Sequence, residues 1–311
     1  MQPVTPDLST AGQAGPDPVK VKPTGAPCAD CASRILPPEQ YVYAIGRMDV
    51  RFPSLGIERE YQQRERALHD LPQQSRNVRI LAVLEKNPHL ALRVNYVFLI
   101  GGSPVFALSP SSGALKEAFF KALSQSHEID HSCVVIGRAG AFTNPAAYGG
   151  LLLSLVSVDQ LYTFSASEWA EGLAKVAQPA LKSRKVETAH FQTVSQGIFR
   201  EVITMPENMG ISDGHRALNY LLVQHPGMFL AAAERPNHLL DRIETRVIQV
   251  VGGRRHVAVI LNFLDRGTGV PERLFCTVDV TEEWPFVVST EGASPPLGFA
   301  PFLDNIFYGS N

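Results

Sequence analysis

Apolar side chains first become frequent at residue 40, in the stretch QYVYAIGRMDVRF, and many of them are β-branched or aromatic. This pattern predicts a strand over residues 40–52. After Pro53 the apolar positions recur at helical spacing and Ser54 can cap the chain, so a helix is predicted over residues 54–71. The stretch VRILAVLEKN predicts a second helix, which should end before Pro88 because a residue that precedes proline disfavours the helical conformation.

A glycine pair interrupts the next apolar segment, RVNYVFLIGGSPVFALS, which predicts a β-hairpin that turns at Gly101 and Gly102. Beyond it, runs of helical and strand character follow one another up to residue 281. Helices are predicted at ALKEAFFKALSQ, at residues 166–177 and 187–204, and in SDGHRALNYLLVQHPGMFLAAAE, where Pro226 should break the helix. Strands are predicted at HSCVVIGRAG, at GLLLSLVSVDQLYTF and at residues 238–251, 255–264 and 272–281.

Together these elements predict an α+β fold with mixed or antiparallel sheets, helices between them and an antiparallel β meander at the end. A single domain is predicted over residues 40–290. Residues 1–39 are rich in Pro, Gly, Ala and Thr without an apolar period, so they predict a flexible lead. Residues 291–311 predict a loose tail. Three aromatic residues of this tail could dock on the domain: Phe299, Phe302 and Phe307.

The composition narrows the class of protein. The chain of 311 residues has a formal net charge of −2, which gives no electrostatic argument for nucleic acid or an anionic membrane as a partner. No apolar stretch reaches about 18 residues, and no basic and apolar signal sequence is seen. Four cysteines in a chain of this length do not indicate a disulfide scaffold, so reduced thiols in the cytoplasm are expected.

Three long stretches resemble one family. YVYAIGRMDVRFPSLGIEREY, GHRALNYLLVQHP and RLFCTVDVTEEWPF look like the C-terminal domain of PatG-type cyanobactin maturation proteases, and a related copy ends the PatA-type protease. The resemblance covers most of residues 40–290. It implies a domain of unknown function in the tailoring of ribosomally made peptides. The protease activity of the family belongs to a different, subtilisin-like domain, so no catalytic triad is carried over to this chain.

Cys28 and Cys31 have the Cys-x-x-Cys spacing of half a tetrahedral zinc site. A similar segment precedes the first strand in the family that the chain resembles. A redox role is disfavoured, because a redox pair usually follows a strand and opens a helix, and residues 34–38 do not favour a long helix. Cys28 and Cys31 are therefore the predicted ligands of a structural zinc. The other two ligands would come from a second subunit or from this set: Cys133, Cys276, His127 and His131.

The segment HEIDH matches the His-Glu-x-x-His motif, in which His127 and His131 would bind zinc and Glu128 would act as a base. The motif requires a helix, because only there do positions i and i+4 share one face. Here the preceding helix is ending and a strand-like run begins at Cys133, so a polar helix-to-strand loop is favoured. The alternative is a metal-dependent hydrolase that uses these three residues.

Two polar clusters lie in the stretches that carry the resemblance. In VDVTEEWPF, the carboxylates of Asp279, Glu282 and Glu283 could act as acid and base, although an exposed strand end explains them better. In GHRALNYL, Arg216 and Asn219 could line a peptide groove or meet a buried carboxylate. Polar anchors of a structural helix are the favoured interpretation of this second cluster.

Arg47 and Arg51 flank Asp49 on one face of the predicted first strand, because alternate residues of a strand share a face. Ion pairs with Glu58 or Glu60 of the following helix are favoured, and these two glutamates are also the carboxylates proposed for the arginine of GHRALNYL. The alternative is that the two arginines receive an acidic peptide.

The sequence therefore favours a non-catalytic accessory or interaction domain in the maturation of a cyanobactin-like peptide, with a structural zinc. The expected partners are a precursor peptide or a maturation protease, and a second copy of the chain in a homodimer. Neither nucleic acid nor a membrane is expected. The alternatives are enzymes: the metal-dependent hydrolase, and a peptide-tailoring enzyme built around Arg216 and the acids near residue 280.

Overall fold

The structure, a computed structural model, describes residues 40–68, 75–205, 207–249, 253–288 and 298–302. Within these residues, eight α-helices and ten strands form a closed five-stranded barrel and a separate five-stranded antiparallel sheet. The chain runs through the barrel first, then through four helices, and ends in the antiparallel sheet. The predicted α+β class and the β meander at the end are therefore confirmed.

The barrel consists of five strands: β1 (Gln40–Arg51), β2 (Asn95–Ile100), β3 (Ser103–Pro110), β4 (His131–Phe142) and β5 (Ser154–Ser165). Their order around the barrel is β1-β2-β3-β5-β4, and only the contact between β3 and β5 is parallel. A helix connects β3 to β4. This order and this helix are those of the OB barrel, the five-stranded Greek-key barrel of many oligonucleotide-binding proteins.

Strand β1 closes the barrel by changing its partner halfway along. Residues 40–46 pair with β4, and residues 47–51 pair with β2. Gly46 lies at the change, where an added Cβ would overlap the carbonyl oxygen of Leu99 and approach the ring of Phe98. Because only glycine leaves room for β2 at this point, Gly46 allows the two halves of β1 to pair with different strands of the barrel.

Four helices close the barrel core: α1 (Leu55–Ala67), α2 (Arg76–Lys86) and α3 (Pro88–Ala91) between β1 and β2, and α4 (Lys116–Gln125) between β3 and β4. Ser54 caps α1, as the sequence predicts, by accepting a hydrogen bond from the amide of Ile57. The inward residues of these helices pack with the interior residues of the barrel in one apolar cluster.

A second helical layer joins the outer face of the barrel to the other sheet. It contains α5 (Ala166–Arg184), α6 (Thr188–Ile203), α7 (Asp213–Gln224) and α8 (Pro226–Ala233). The largest apolar cluster includes Tyr43 and Ile136 of the barrel, Phe229 of α8, and Val259 of the second sheet. The break between α7 and α8 falls at Pro226, as predicted, because proline cannot continue the helical hydrogen bonding.

The second sheet consists of β6 (His238–Gln249), β7 (Arg255–Asp265), β8 (Pro271–Asp279), β9 (Phe286–Val288) and β10 (Ala300–Pro301). Strand β10 lies in the segment predicted as a loose tail. It pairs with β8, Phe302 is buried against Phe275, and Phe299 packs on the main core. Residues 298–302 are therefore docked rather than loose, because their aromatic side chains cover apolar surface. Phe307 lies outside the described residues.

The predicted end of helix α5 is wrong. Helix α5 extends to Arg184, seven residues beyond the predicted end, and passes through Pro179. Its buried residues Ala177, Ala180 and Leu181 pack in the core, and this tertiary packing outweighs the local penalty of the proline. None of the helices in the described ranges has the length and apolar character needed to cross a membrane.

Candidate functional site

A groove of about 620 Å³ opens where β1 leaves β4 and joins β2. Small-molecule and cofactor sites usually have volumes of about 300–1,000 Å³, so the groove has the size of a binding site. Its floor is the bent part of β1, residues 45–49. Its walls come from separate parts of the chain: Asn77, Leu99, Gly101, Gly102, Ser126, Ile129, Ser132, Ile203 and Thr204.

The main chain of Ile45 is directed toward this groove. Tyr43 does not use its main chain to bind β4: its amide donates to the carbonyl oxygen of Gly210 (2.9 Å), and its carbonyl accepts a hydrogen bond from Asn219 (2.8 Å). Every second residue of a strand directs its N–H and C=O groups to the same edge. Like those of Tyr43, the main-chain groups of Ile45 therefore point away from β4, toward the groove. Two residues further along the same edge of β1, Arg47 pairs with β2. Ile45 thus lies between two occupied positions, where the groove opens.

The opposite edge of β1 is closed by side chains of α2. Asn77 donates to the carbonyl oxygen of Met48 (3.4 Å) and to the hydroxyl of Ser126 (2.8 Å). Arg76 donates to the carbonyl oxygen of Val50 (3.2 Å). Strand β4 does not extend to these two carbonyls, so the side chains of α2 supply their hydrogen bonds. The same bonds hold the floor of the groove against α2.

The floor of the groove carries one cation, Arg47, and one carboxylate, Asp49. The Arg47 guanidinium donates to the carbonyl oxygen of Ile129 (2.7 Å), and no carboxylate of the described residues lies within 4.0 Å of it. Asp49 pairs with Arg76 (2.9 Å) and with Arg51 (3.6 Å). Asp49 is thus engaged by two arginines beside the groove, whereas Arg47 is held by a main-chain carbonyl alone.

The predicted ion pairs between the arginines of β1 and the glutamates of α1 are wrong. Glu60 pairs instead with His89 (2.9 Å) and Arg93 (3.3 Å). The reason is that the face of α1 that carries Glu60 points toward the segment after α2, whereas the arginines of β1 lie beside the start of α2. Neither Glu58 nor Glu60 meets Arg216 within the described part of the chain.

The HEIDH segment forms the turn between α4 and β4. Helix α4 ends at Gln125 and β4 begins at His131, so the single helix that the zinc-peptidase motif requires is not formed. The Oε2 atom of Glu128 lies 2.7 Å from Nδ1 of His131. Ile129 stands at the tip with 91% of its surface exposed and contributes to the groove wall.

Cys133 and Cys276, two of the candidate zinc ligands, lie in different apolar clusters. Burial raises the pKa of both thiols, which opposes the thiolate form that binds zinc. Among the residues that the structure describes, no group of three or more His, Cys, Asp and Glu side chains could hold a metal ion. Cys28 and Cys31 lie outside the described residues.

Arg216 and Asn219 are anchors, as the favoured interpretation predicts. Arg216 is 1% exposed and donates to the carbonyl oxygens of Val280 (2.7 Å), Glu282 and Glu283 (3.2 Å). Its guanidinium also lies 5.2 Å from the centre of the Tyr41 ring. Arg216 thereby joins α7 to the turn after β8 and to the barrel. Asn219, which is fully buried, fixes α7 to β1 through the bond to Tyr43 described above.

The acids of VDVTEEWPF point in different directions rather than forming one pair. Asp279 is buried and accepts hydrogen bonds from Arg254, Thr281 and His256; burial opposes its ionisation, but these hydrogen bonds prevail and lower its pKa to about 2. Glu283 lies beside Asp159 of β5. Burial, and then the charge of Asp159, raise the pKa of Glu283. No spacing in the sequence could have indicated this contact, because Asp159 and Glu283 are far apart in the chain.

The face that binds ligands in many OB barrels is covered here. That face is formed by β2 and β3 beside the connection between β4 and β5. In this chain the connection folds back, so that Tyr148, Leu151 and Leu153 pack on Val97 and Ala107. The groove on β1 is a different place on the barrel, so the OB-type strand order does not by itself assign a ligand.

The barrel, the helical layer and the second sheet define an α+β domain in which the usual OB ligand face is covered. Two family models match the chain: PatG Domain over residues 41–224 and PatG C-terminal over residues 185–292. The chain therefore belongs to the PatG Domain family. This finding confirms the resemblance seen in the sequence and supports its cyanobactin context.

A solved structure described as "PatG Domain of Unknown Function" is similar to this chain. The TM-score is 0.60 at 18% identity, and the alignment covers 81% of this chain and 97% of the other. At this identity the similarity shows a shared fold. No curated protein matches the chain.

Proposed function

We propose that this domain is a non-catalytic accessory module in the maturation of a cyanobactin-type peptide, and that the groove on β1 binds a segment of a precursor peptide or of a maturation protease. The observation that carries the proposal is the groove itself. It is an opening of about 620 Å³ with the main chain of Ile45 directed into it. A strand with main-chain groups available beside a groove is a common way to recognise an extended peptide.

Two observations favour binding over catalysis. The HEIDH residues lie in a turn instead of on one helix face, and the acids near residue 280 separate into different environments. Acid–base catalysis requires groups that converge on one reacting atom. The residues of the groove, by contrast, are those of a contact surface: apolar Ile129, Ile203 and Leu99, with Arg47 at the floor.

Ile129→Glu should weaken the association of the domain with its pathway partner by about tenfold or more, because the new carboxylate would lie beside the Arg47 guanidinium and occupy the groove. Ile129 is 91% exposed, so the fold should tolerate the change. The measurement is calorimetric titration with the precursor peptide and with the maturation protease encoded beside the domain.

Leu92→Glu is the matched control, since Leu92 is 86% exposed and does not line the groove. This variant should bind like the unmodified domain. Equal losses in both variants would refute the groove as the site. No association of the unmodified domain with either partner would refute the accessory function.

We further propose a structural zinc that Cys28 and Cys31 help to hold, with the remaining ligands from His127 and His131 or from a second subunit in a homodimer. The burial of Cys133 and Cys276 in separate apolar clusters makes these two cysteines poor ligands. Their unoxidised thiols are in keeping with a cytoplasmic location, which we also propose.

Elemental analysis tests the zinc proposal. About one zinc per chain is expected, lost with Cys28→Ser and kept with Glu128→Gln, because a structural site needs the thiolate and not the glutamate. Half a zinc per chain in a dimer would place the site between subunits. Zinc that survives the loss of both cysteines and disappears with His127→Ala, or the absence of zinc, would contradict the proposal.

A further inference from the structure

We infer that the groove selects a carboxylate: Arg47 binds an acidic side chain of an extended peptide segment that pairs with the main chain of Ile45. This inference rests on the proposed function and names the chemistry of the segment. Its starting point is the state of Arg47, which in the described structure is held by one hydrogen bond to a main-chain carbonyl and by no ion pair. A guanidinium has five N–H donors, and the bond to Ile129 uses one of them.

The acids near Arg47 have other partners. Two acids flank Ile129 in the turn, but Glu128 contacts His131 and Asp130 accepts a hydrogen bond from Ser167. The remaining acid of the floor is Asp49, which two other arginines already engage. An incoming carboxylate would therefore find the Arg47 guanidinium without an ion-pair partner, and a bidentate bond to arginine is the strongest contact that such a group can make.

The geometry of β1 explains why the carboxylate should come from an extended chain. Main-chain groups of Ile45 point toward the groove, and the side chain of Arg47 lies on the same strand face as that of Ile45, two residues away. A segment paired beside Ile45 would place every second side chain on this face. One of these side chains would then reach the Arg47 guanidinium, and its neighbours on the same face would contact Ile129 and Ile203.

The occupant that fits is thus a short extended segment with an acidic residue and apolar residues two positions to either side. Its apolar side chains would cover Ile129, which is otherwise 91% exposed. Its acidic residue would add affinity and set the register, since only one position of the segment can lie opposite Arg47.

A pair of synthetic peptides tests this inference: acetyl-Ile-Ser-Glu-Ser-Ile-amide and the same peptide with Gln in place of Glu. Each is titrated into the ¹⁵N-labelled domain and followed by NMR. The Glu peptide should bind about tenfold more tightly than the Gln peptide. It should shift the Nε–Hε signal of Arg47 and the amide signals of Ile45 and Gly101.

Two arginine variants separate a site from general charge. Arg47→Gln should abolish the preference for the Glu peptide. Arg51→Gln removes the same charge from the same strand. Because Arg51 pairs with Asp49 and does not line the groove, this variant should preserve the preference for the Glu peptide. The inference is overturned by equal binding of the two peptides, by equal losses in the two variants, or by the absence of shifts at the groove. If the inference fails but Ile129→Glu still weakens binding of the pathway partner, the proposed function stands without the selection of a carboxylate.

Discussion

Arg216→Ala should lower the free energy of unfolding by about 3–5 kcal/mol, because it removes a buried cation that three main-chain carbonyls share. These carbonyls belong to residues 280, 282 and 283. Without the guanidinium the carbonyls of Glu282 and Glu283 would lose this donor and Val280 would keep only the bond from Arg255 (3.3 Å), and an unsatisfied buried polar group costs about 1–3 kcal/mol. The contact with the Tyr41 ring would be lost as well.

The charge of Arg216 is part of the reason for this large effect. Burial lowers the pKa of Arg216 to about 10, which still leaves the side chain charged at neutral pH. Arg216→Lys would keep the charge, but one ammonium group cannot reach three carbonyls in a fork, so an intermediate loss of stability is expected.

Chemical denaturation of the domain measures both variants. Arg59→Ala serves as the control, because Arg59 lies on an exposed position of α1, and its substitution should change the free energy of unfolding by less than about 0.5 kcal/mol. If Arg216→Ala behaves like this control, the turn after β8 does not depend on Arg216 and the anchoring role is wrong.

Gly46→Ala should be nearly as damaging, with an expected loss of about 3 kcal/mol or more. The added methyl group would overlap the carbonyl oxygen of Leu99, which is main chain and cannot move without disturbing the pairing of β1 with β2. The barrel closes through this pairing. The variant should therefore weaken the domain as a whole rather than one surface of it.

Gly172→Ala is the same substitution at a place without this constraint. Gly172 lies within α5, and apart from its chain neighbours and the helix backbone no atom lies within 4 Å of a Cβ placed on it. Alanine should therefore raise the free energy of unfolding by about 0.5–1 kcal/mol, since glycine is a poor helix former. Denaturation curves that move in the same direction for both variants would contradict the proposed role of Gly46.

The elements of this fold follow from local sequence, whereas their pairing does not. The hairpin at Gly101 and Gly102 and the break at Pro226 were predictable because the signals lie within a few residues. The parallel contact of β3 with β5 and the division of β1 between β2 and β4 depend on contacts between distant segments. Hydrophobic periodicity carries no information about such pairing.

The candidate site was predictable only in fragments. Sequence spacing placed Arg47 and Asp49 on one strand face, and it indicated that Arg216 is an anchor. It did not indicate the acceptors of Arg216, which are main-chain carbonyls instead of a glutamate. The groove as a whole combines residues of β1, a hairpin turn, a helix-to-strand turn and two helix ends, none of which forms a motif.

The central claim, that the groove on β1 is where the domain binds its partner, is tested most directly by hydrogen exchange. Amide exchange of the domain is compared with and without the pathway's precursor peptide or protease at saturating concentration. If the partner binds in the groove, added protection is expected in residues 45–49, 99–102 and 126–132. Protection confined to other surfaces, such as the edge strand β6, with the groove residues unchanged, would contradict it.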